Sequence, residues 1–89
     1  MLYFFYMKIH HYTAFFQKEP EGGYTVLIPA LKGCVTYGET IEEASIAAKE
    51  AIESYLGSLA KDGESAPVDI SFVSMIDVPA MPSRSPSYA

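Results

Sequence analysis

GGYTVLIPALKGCVTYGETIEEASIAAKEA, residues Gly22 to Ala51, is the stretch on which the fold turns. It reads as a strand, a tight loop, a second strand and a capped amphipathic helix, with no slack between them. Tyr24 to Ile28 is β-branched and aromatic, a composition suited to a pleated surface. Pro29 ends that ladder because it has no amide hydrogen to donate. Leu31 and Gly33 fall in the short loop, and Cys34 to Tyr37 resumes the β pattern. Gly38 then allows the turn into a helix that starts at Thr40. Thr40-Ile41-Glu42-Glu43 has the form of a capping box, in which the Thr40 hydroxyl accepts from the Glu43 amide and the Glu43 carboxylate accepts from the Thr40 amide. Glu42 and Glu43 also oppose the positive end of the helix dipole.

The helix is expected to run from about Ile41 to Lys61. Ile41, Ala44, Ala48, Ala51, Ile52, Tyr55 and Leu59 form one apolar stripe at helical spacing. The alanines of its first half let it sit close on a sheet. Glu43, Glu50, Glu53 and Lys61 occupy the opposite side, and Ile46 lands among these acids. Gly63 is the expected left-handed stop, with Lys61 near the negative end of the dipole.

Working outward, Tyr3 to Gln17 is the longest β-rich run. Ile9, His11, Thr13 and Phe15 share one face of it, and His10, Tyr12, Ala14 and Phe16 the other. Both faces carry large apolar groups, so this strand is expected to be central and covered on both sides. Gln17 to Gly23 has the composition of a hairpin loop. In strand two, Tyr24, Val26 and Ile28 oppose Thr25 and Leu27; strand three is short and expected at an edge. Beyond the helix, Pro67 closes a loop and Val68 to Val78 is expected to form a fourth strand, with a shift of phase near Ser74. Pro79 to Ala89, rich in proline and serine, reads as an extended or disordered tail. Met7-Lys8-Ile9 resembles a more natural start, so residues 1–6 read either as the product of an early start codon or, where they are present, as an extension of the first strand.

The whole is a single α+β domain over residues 1–78, of order β-β-β-α-β. A right-handed crossover places strand four beside strand one, for a sheet order 3-2-1-4. One helix covers one face only. The other face needs a cover from outside the chain.

Gly22-Gly23-Tyr24, Ile28-Pro29-Ala30-Leu31-Lys32-Gly33-Cys34, Gly38-Glu39-Thr40 and Glu42-Glu43-Ala44 together resemble the HicB family of antitoxins, whose pattern runs G-x-Y, P-x-L-x-G-C, G-x-T and E-E-A before a helix. The likeness covers roughly residues 8 to 78. Gly23, Tyr24, Pro29, Leu31, Gly33, Cys34, Gly38, Thr40, Glu43 and Ala44 are the positions that carry it. It implies a partial ribonuclease-H-like fold, and a protein that binds a small basic mRNA-cleaving toxin of the HicA type and shields its catalytic histidine. Many members carry a DNA-binding module after the fourth strand. Eleven residues follow Val78 here, too few for either known module, so operator binding is not expected of this sequence.

Composition agrees with a binding module. The 89 residues bear a net charge of −5, which argues against a nucleic-acid surface and suits a basic partner. A chain this short buries only about 60–65% of its unfolded surface, so self-association into a dimer or tetramer is expected. The lone Cys34 cannot form an internal disulfide, which points to a reducing, cytoplasmic setting. The apolar N-terminus is too short to span a bilayer.

No catalytic constellation is legible in the sequence. A ribonuclease H centre needs clustered carboxylates for its metal ions, yet residues 9–16 contain no acid to face Asp69 and Asp77. His10 and His11 are adjacent on a strand and point apart, one expected buried and one exposed. Cys34 lacks any legible base or oxyanion donor. No cofactor, metal or catalytic residue is assigned. Glu42, Glu43, Ile46, Glu50 and Glu53 are the candidate partner-binding residues, chosen on charge and exposure. The alternative is an orphan homo-oligomeric scaffold without a toxin partner.

Overall fold

The computed structural model describes residues 9–82; the expected extension over residues 1–6 and the end of the tail, residues 83–89, lie outside the described residues. Three strands, β1 (Phe15–Lys18), β2 (Tyr24–Leu27) and β3 (Val35–Gly38), precede one helix, α1 (Ile41–Lys61). The strands form an antiparallel sheet of order β1-β2-β3. The register sets Phe16 opposite Val26 and Val26 opposite Thr36, and likewise Phe15 opposite Leu27 and Leu27 opposite Val35. Alternation therefore sends Phe16, Val26 and Thr36 to one face and Phe15, Leu27 and Val35 to the other. The α+β architecture and the order 3-2-1 follow the expectation from the sequence.

Pro29 does stop the second strand. The β2–β3 loop is built from two consecutive turns, in which Leu31 N–H donates to the Ile28 carbonyl (3.0 Å) and Cys34 N–H to the Leu31 carbonyl (2.9 Å). This folding drops Leu31 into the interior, where it is fully buried. With Val26, Ile28, Cys34, Ala44 and Ala48 it makes the core, and Tyr12, Ala14, Tyr24, Ala51, Ile52, Tyr55 and Leu56 pack around it. The small Ala44 and Ala48 let the helix backbone approach β3 and β2, on which it rests.

Both ends of α1 are capped. Thr40, in extended conformation, accepts from the Glu43 N–H at 3.0 Å. The return bond differs from expectation: Glu43 Oε1 accepts from the Glu39 amide (3.3 Å), one residue upstream of Thr40. At the other end Gly63 has φ +72°; its N–H donates to the Ala60 carbonyl and that of Glu64 to the Leu59 carbonyl. These two bonds are the Schellman arrangement, which satisfies carbonyls left over by the last turn.

Five expectations are corrected. Residues 68–78 join no ladder, so the fourth strand is not formed, and among the described residues β1 is an edge strand rather than a central one. Where residues 67–71 pass strand one, the Thr13 amide donates to the Asp69 side chain and not to a backbone carbonyl. Ile41 stands 52% exposed because it sits at the very start of the helix, beyond the sheet. Leu56, absent from the expected stripe, packs against the core instead. His10 and His11 are both exposed, because residues 9–11 project past the end of β2.

Candidate partner-binding surfaces

The capping residues fix where the acidic side chains stand. With α1 seated on the sheet through Ala44, Ala48 and Ala51, Glu42, Glu43, Ile46, Glu50 and Glu53 all project into solvent. At about 100° per residue these five fall within roughly one third of the helix circumference, with Ile46 near the middle of the arc. Ile46 is 61% exposed. An apolar side chain flanked by Glu42, Glu43 and Glu50, with Lys49 as its fourth neighbour, is thus offered on a rigid element, an arrangement that suits a basic partner with an apolar contact at its centre.

The second surface is the sheet face turned away from the helix. Phe15, Leu27 and Val35 make a continuous cross-strand row there, 42%, 42% and 56% exposed, and Tyr37 lies beside it. No described residue covers this row. Tyr37 is held by its hydroxyl, which donates to the Gly22 carbonyl at 3.0 Å, and Thr25 donates to Glu19 at 2.6 Å. The face is therefore ordered as well as apolar.

A third feature lies where residues 67–71 pass strand one. The Tyr12 hydroxyl donates to the Pro67 carbonyl at 2.6 Å. The Asp69 carboxylate accepts from the Thr13 amide with one oxygen and from the Ser71 amide, at 2.7 Å, with the other. These bonds, that to Thr13 foremost, hold the Asp69 carboxyl down at about 2, well below the usual carboxylate range. Asp69, weighed from sequence only as a possible metal ligand, is a structural clamp. The readable signal was Asp69-Ile70-Ser71, since an aspartate readily accepts from the backbone two residues on. Between α1 and strand one an open groove of about 610 Å³ remains, bordered by His10, Tyr12, Phe16, Lys49, Ile52 and Leu56 among others.

The chemically reactive candidates are not assembled into a site. Cys34 is buried, and burial pushes its thiol pKa up, away from the nucleophilic thiolate. His10 stacks on Tyr12 with ring centroids 6.0 Å apart. Among the described residues no three His, Cys, Asp or Glu side chains converge as a metal site.

A family model described as the HicB-like antitoxin of bacterial toxin–antitoxin systems matches residues 12–83. The chain belongs to the HicB-like antitoxin family. Among its relatives is a UPF0150 protein of Thermoplasma acidophilum, 48% identical over 58 residues, which are 65% of this chain and 84% of that protein. Another, from Synechocystis, is 43% identical over 60 residues, covering 67% and 76% of the two chains. A third, from Helicobacter pylori, is 42% identical over 64 residues, covering 62% and 89%. The HicB-like matched region takes in the whole sheet, the helix and residues 67–71. Membership supports an antitoxin role of a non-enzymatic kind. Among the described residues no helix is long and apolar enough to cross a membrane.

Proposed function

We propose that this HicB-like chain neutralises a small basic HicA-type mRNA-cleaving toxin by stoichiometric occlusion, acting in the cytoplasm and doing no chemistry itself. The observation that carries this reading is the helix face that Ile46 shares with Glu42, Glu43, Glu50 and Glu53, all exposed. A toxin that grips RNA is basic, and this face offers it competing negative charge. The carboxylates speed encounter and orient it, while Ile46 supplies apolar contact at the centre. Co-expression with the product of the adjacent gene tests the proposal. A stable complex that suppresses RNA cleavage supports it, whereas undiminished cleavage in the presence of excess chain defeats it.

A second reading, a homo-oligomeric binding module with no toxin partner, draws on the exposed row of Phe15, Leu27 and Val35. An apolar row of this kind on a small domain favours a protein partner. Finding a self-associated chain with no basic, histidine-containing neighbour gene would favour that reading over the first.

A further inference from the structure

Residues 70–82 project from the domain with every side chain exposed. Ile70, Phe72, Met75, Ile76 and Val78 are 88%, 85%, 89%, 77% and 76% exposed, and Asp77 is the one charge in the segment. A largely apolar stretch of this kind, with a single charge, is costly to leave in water. Its exit from the domain is fixed by the bonds of Pro67 and Asp69 to Tyr12 and Thr13. Pro67 also forces an extended conformation on the residue before it, which stiffens the root of the arm.

The same domain has an empty place of matching character. Among the described residues β1 is an edge strand with one side unpaired, and the groove between it and α1 is bordered by Tyr12, Ala14, Phe16, Ala48, Ile52 and Leu56 together with five polar residues, Lys49 and Glu53 among them. The edge itself is four residues long, Phe15–Lys18, so part of a nine-residue arm of about 30 Å would pair there and the rest would follow residues 9–14. The arm does not fill its own groove.

We propose that residues 70–78 form an exchanged strand, which lies along the free β1 edge of a second copy and in that copy's groove, the two copies doing so reciprocally. A second copy is the partner whose chemistry fits, because each chain then offers both an unpaired apolar strand and an unpaired edge beside an apolar groove. Exchange of identical elements under two-fold symmetry satisfies both at once and leaves neither open for further growth.

The full chain tests this in three linked measurements. Light scattering at micromolar concentration should give about twice the chain mass of 9.8 kDa. The double variant Ile70→Asp/Phe72→Asp should return to the single-chain mass with unchanged helical circular dichroism, since both side chains touch nothing in their own domain. Val35→Asp, on the bare sheet face, should remain a dimer. The exchange is then fixed by cross-linking on a Cys34→Ala background that carries Ser45→Cys in the groove and Ile76→Cys on the arm, with a bis-maleimide spacer. A product at dimer mass is expected. A monomeric parent chain, a dimer that survives the arm substitutions or is lost with Val35→Asp, a cross-link confined to monomer mass, or the absence of any cross-link would each overturn the proposal.

Discussion

Gly38 and Ala44 meet backbone to backbone: a Cβ added at Gly38 would stand 2.5 Å from the Ala44 Cα and 2.7 Å from the Glu43 carbonyl carbon. The end of β3 and the first turn of α1 are therefore in direct contact, and only hydrogen at this position permits it. Backbone cannot swing aside as a side chain would. Gly38→Ala is expected to destabilise the domain by about 2–3 kcal/mol through overpacking. The urea midpoint should fall with little change in slope, and an unchanged midpoint would refute the contact.

Gly57 provides the opposite case. It lies within α1, and a Cβ there meets nothing within 4 Å. Gly57→Ala should stabilise the chain by about 0.5–1 kcal/mol, because alanine gives up less conformational entropy in a helix. A rise of several degrees in the thermal midpoint is the expected result; a fall would place an unseen neighbour at this site.

Leu31 should be the most sensitive loop residue. It is fully buried although it lies between strands, and Leu31→Ala would remove its methyl groups from the middle of a small core. Losses in such positions run to about 3 kcal/mol, a large part of the stability of a domain this size. Chemical denaturation would show it directly, and a loss under about 1 kcal/mol would mean that the loop is not a structural plug.

Acid should loosen the root of the arm. The folded pKa of Asp69 lies near 2, below its value in the unfolded chain. Its contribution is therefore fully present above the ordinary carboxylate pKa and is lost as pH falls through about 2. Carbon-detected NMR of the Asp69 carboxyl should show this low midpoint, with the Thr13 amide resonance moving alongside it. Asp69→Asn should abolish the pH dependence of the Thr13 shift. An ordinary midpoint for Asp69 would remove the clamp.

Charge reversal on the helix probes the toxin reading. Glu50→Lys/Glu53→Lys should leave the fold intact, since both side chains are exposed, and should slow association with a basic toxin by at least tenfold at low salt. Raising ionic strength should shrink that difference. Inhibition equal to that of the parent chain at all salt concentrations would move the contact surface elsewhere.

Much of the domain was legible in the residues themselves. The helix from Ile41 to Lys61, its Thr40 cap, its Gly63 stop and the turn at Pro29 each rest on interactions within a few positions, which spacing reports faithfully. The exposed acids around Ile46 were readable for the same reason, since helical periodicity fixes faces. Legibility failed where distant segments compete. Val68 to Val78 has the alternation of a strand, but alternation records only a preference for a pleated neighbour and does not say whose. The Asp69 bond to the Thr13 amide spans 56 positions and left no pattern beyond the local Asp-Ile-Ser turn.

The sequence by itself determined the family likeness, strands two and three, the capped helix and its acidic face, because propensity, capping and periodicity act over a few residues. The tertiary structure alone decided that β1 lies at an edge, that the Phe15, Leu27 and Val35 row stays bare and that residues 70–82 leave the domain. Those outcomes turn on which remote groups take a limited set of amide donors and apolar surfaces. Such competition is settled only when the whole chain is in place.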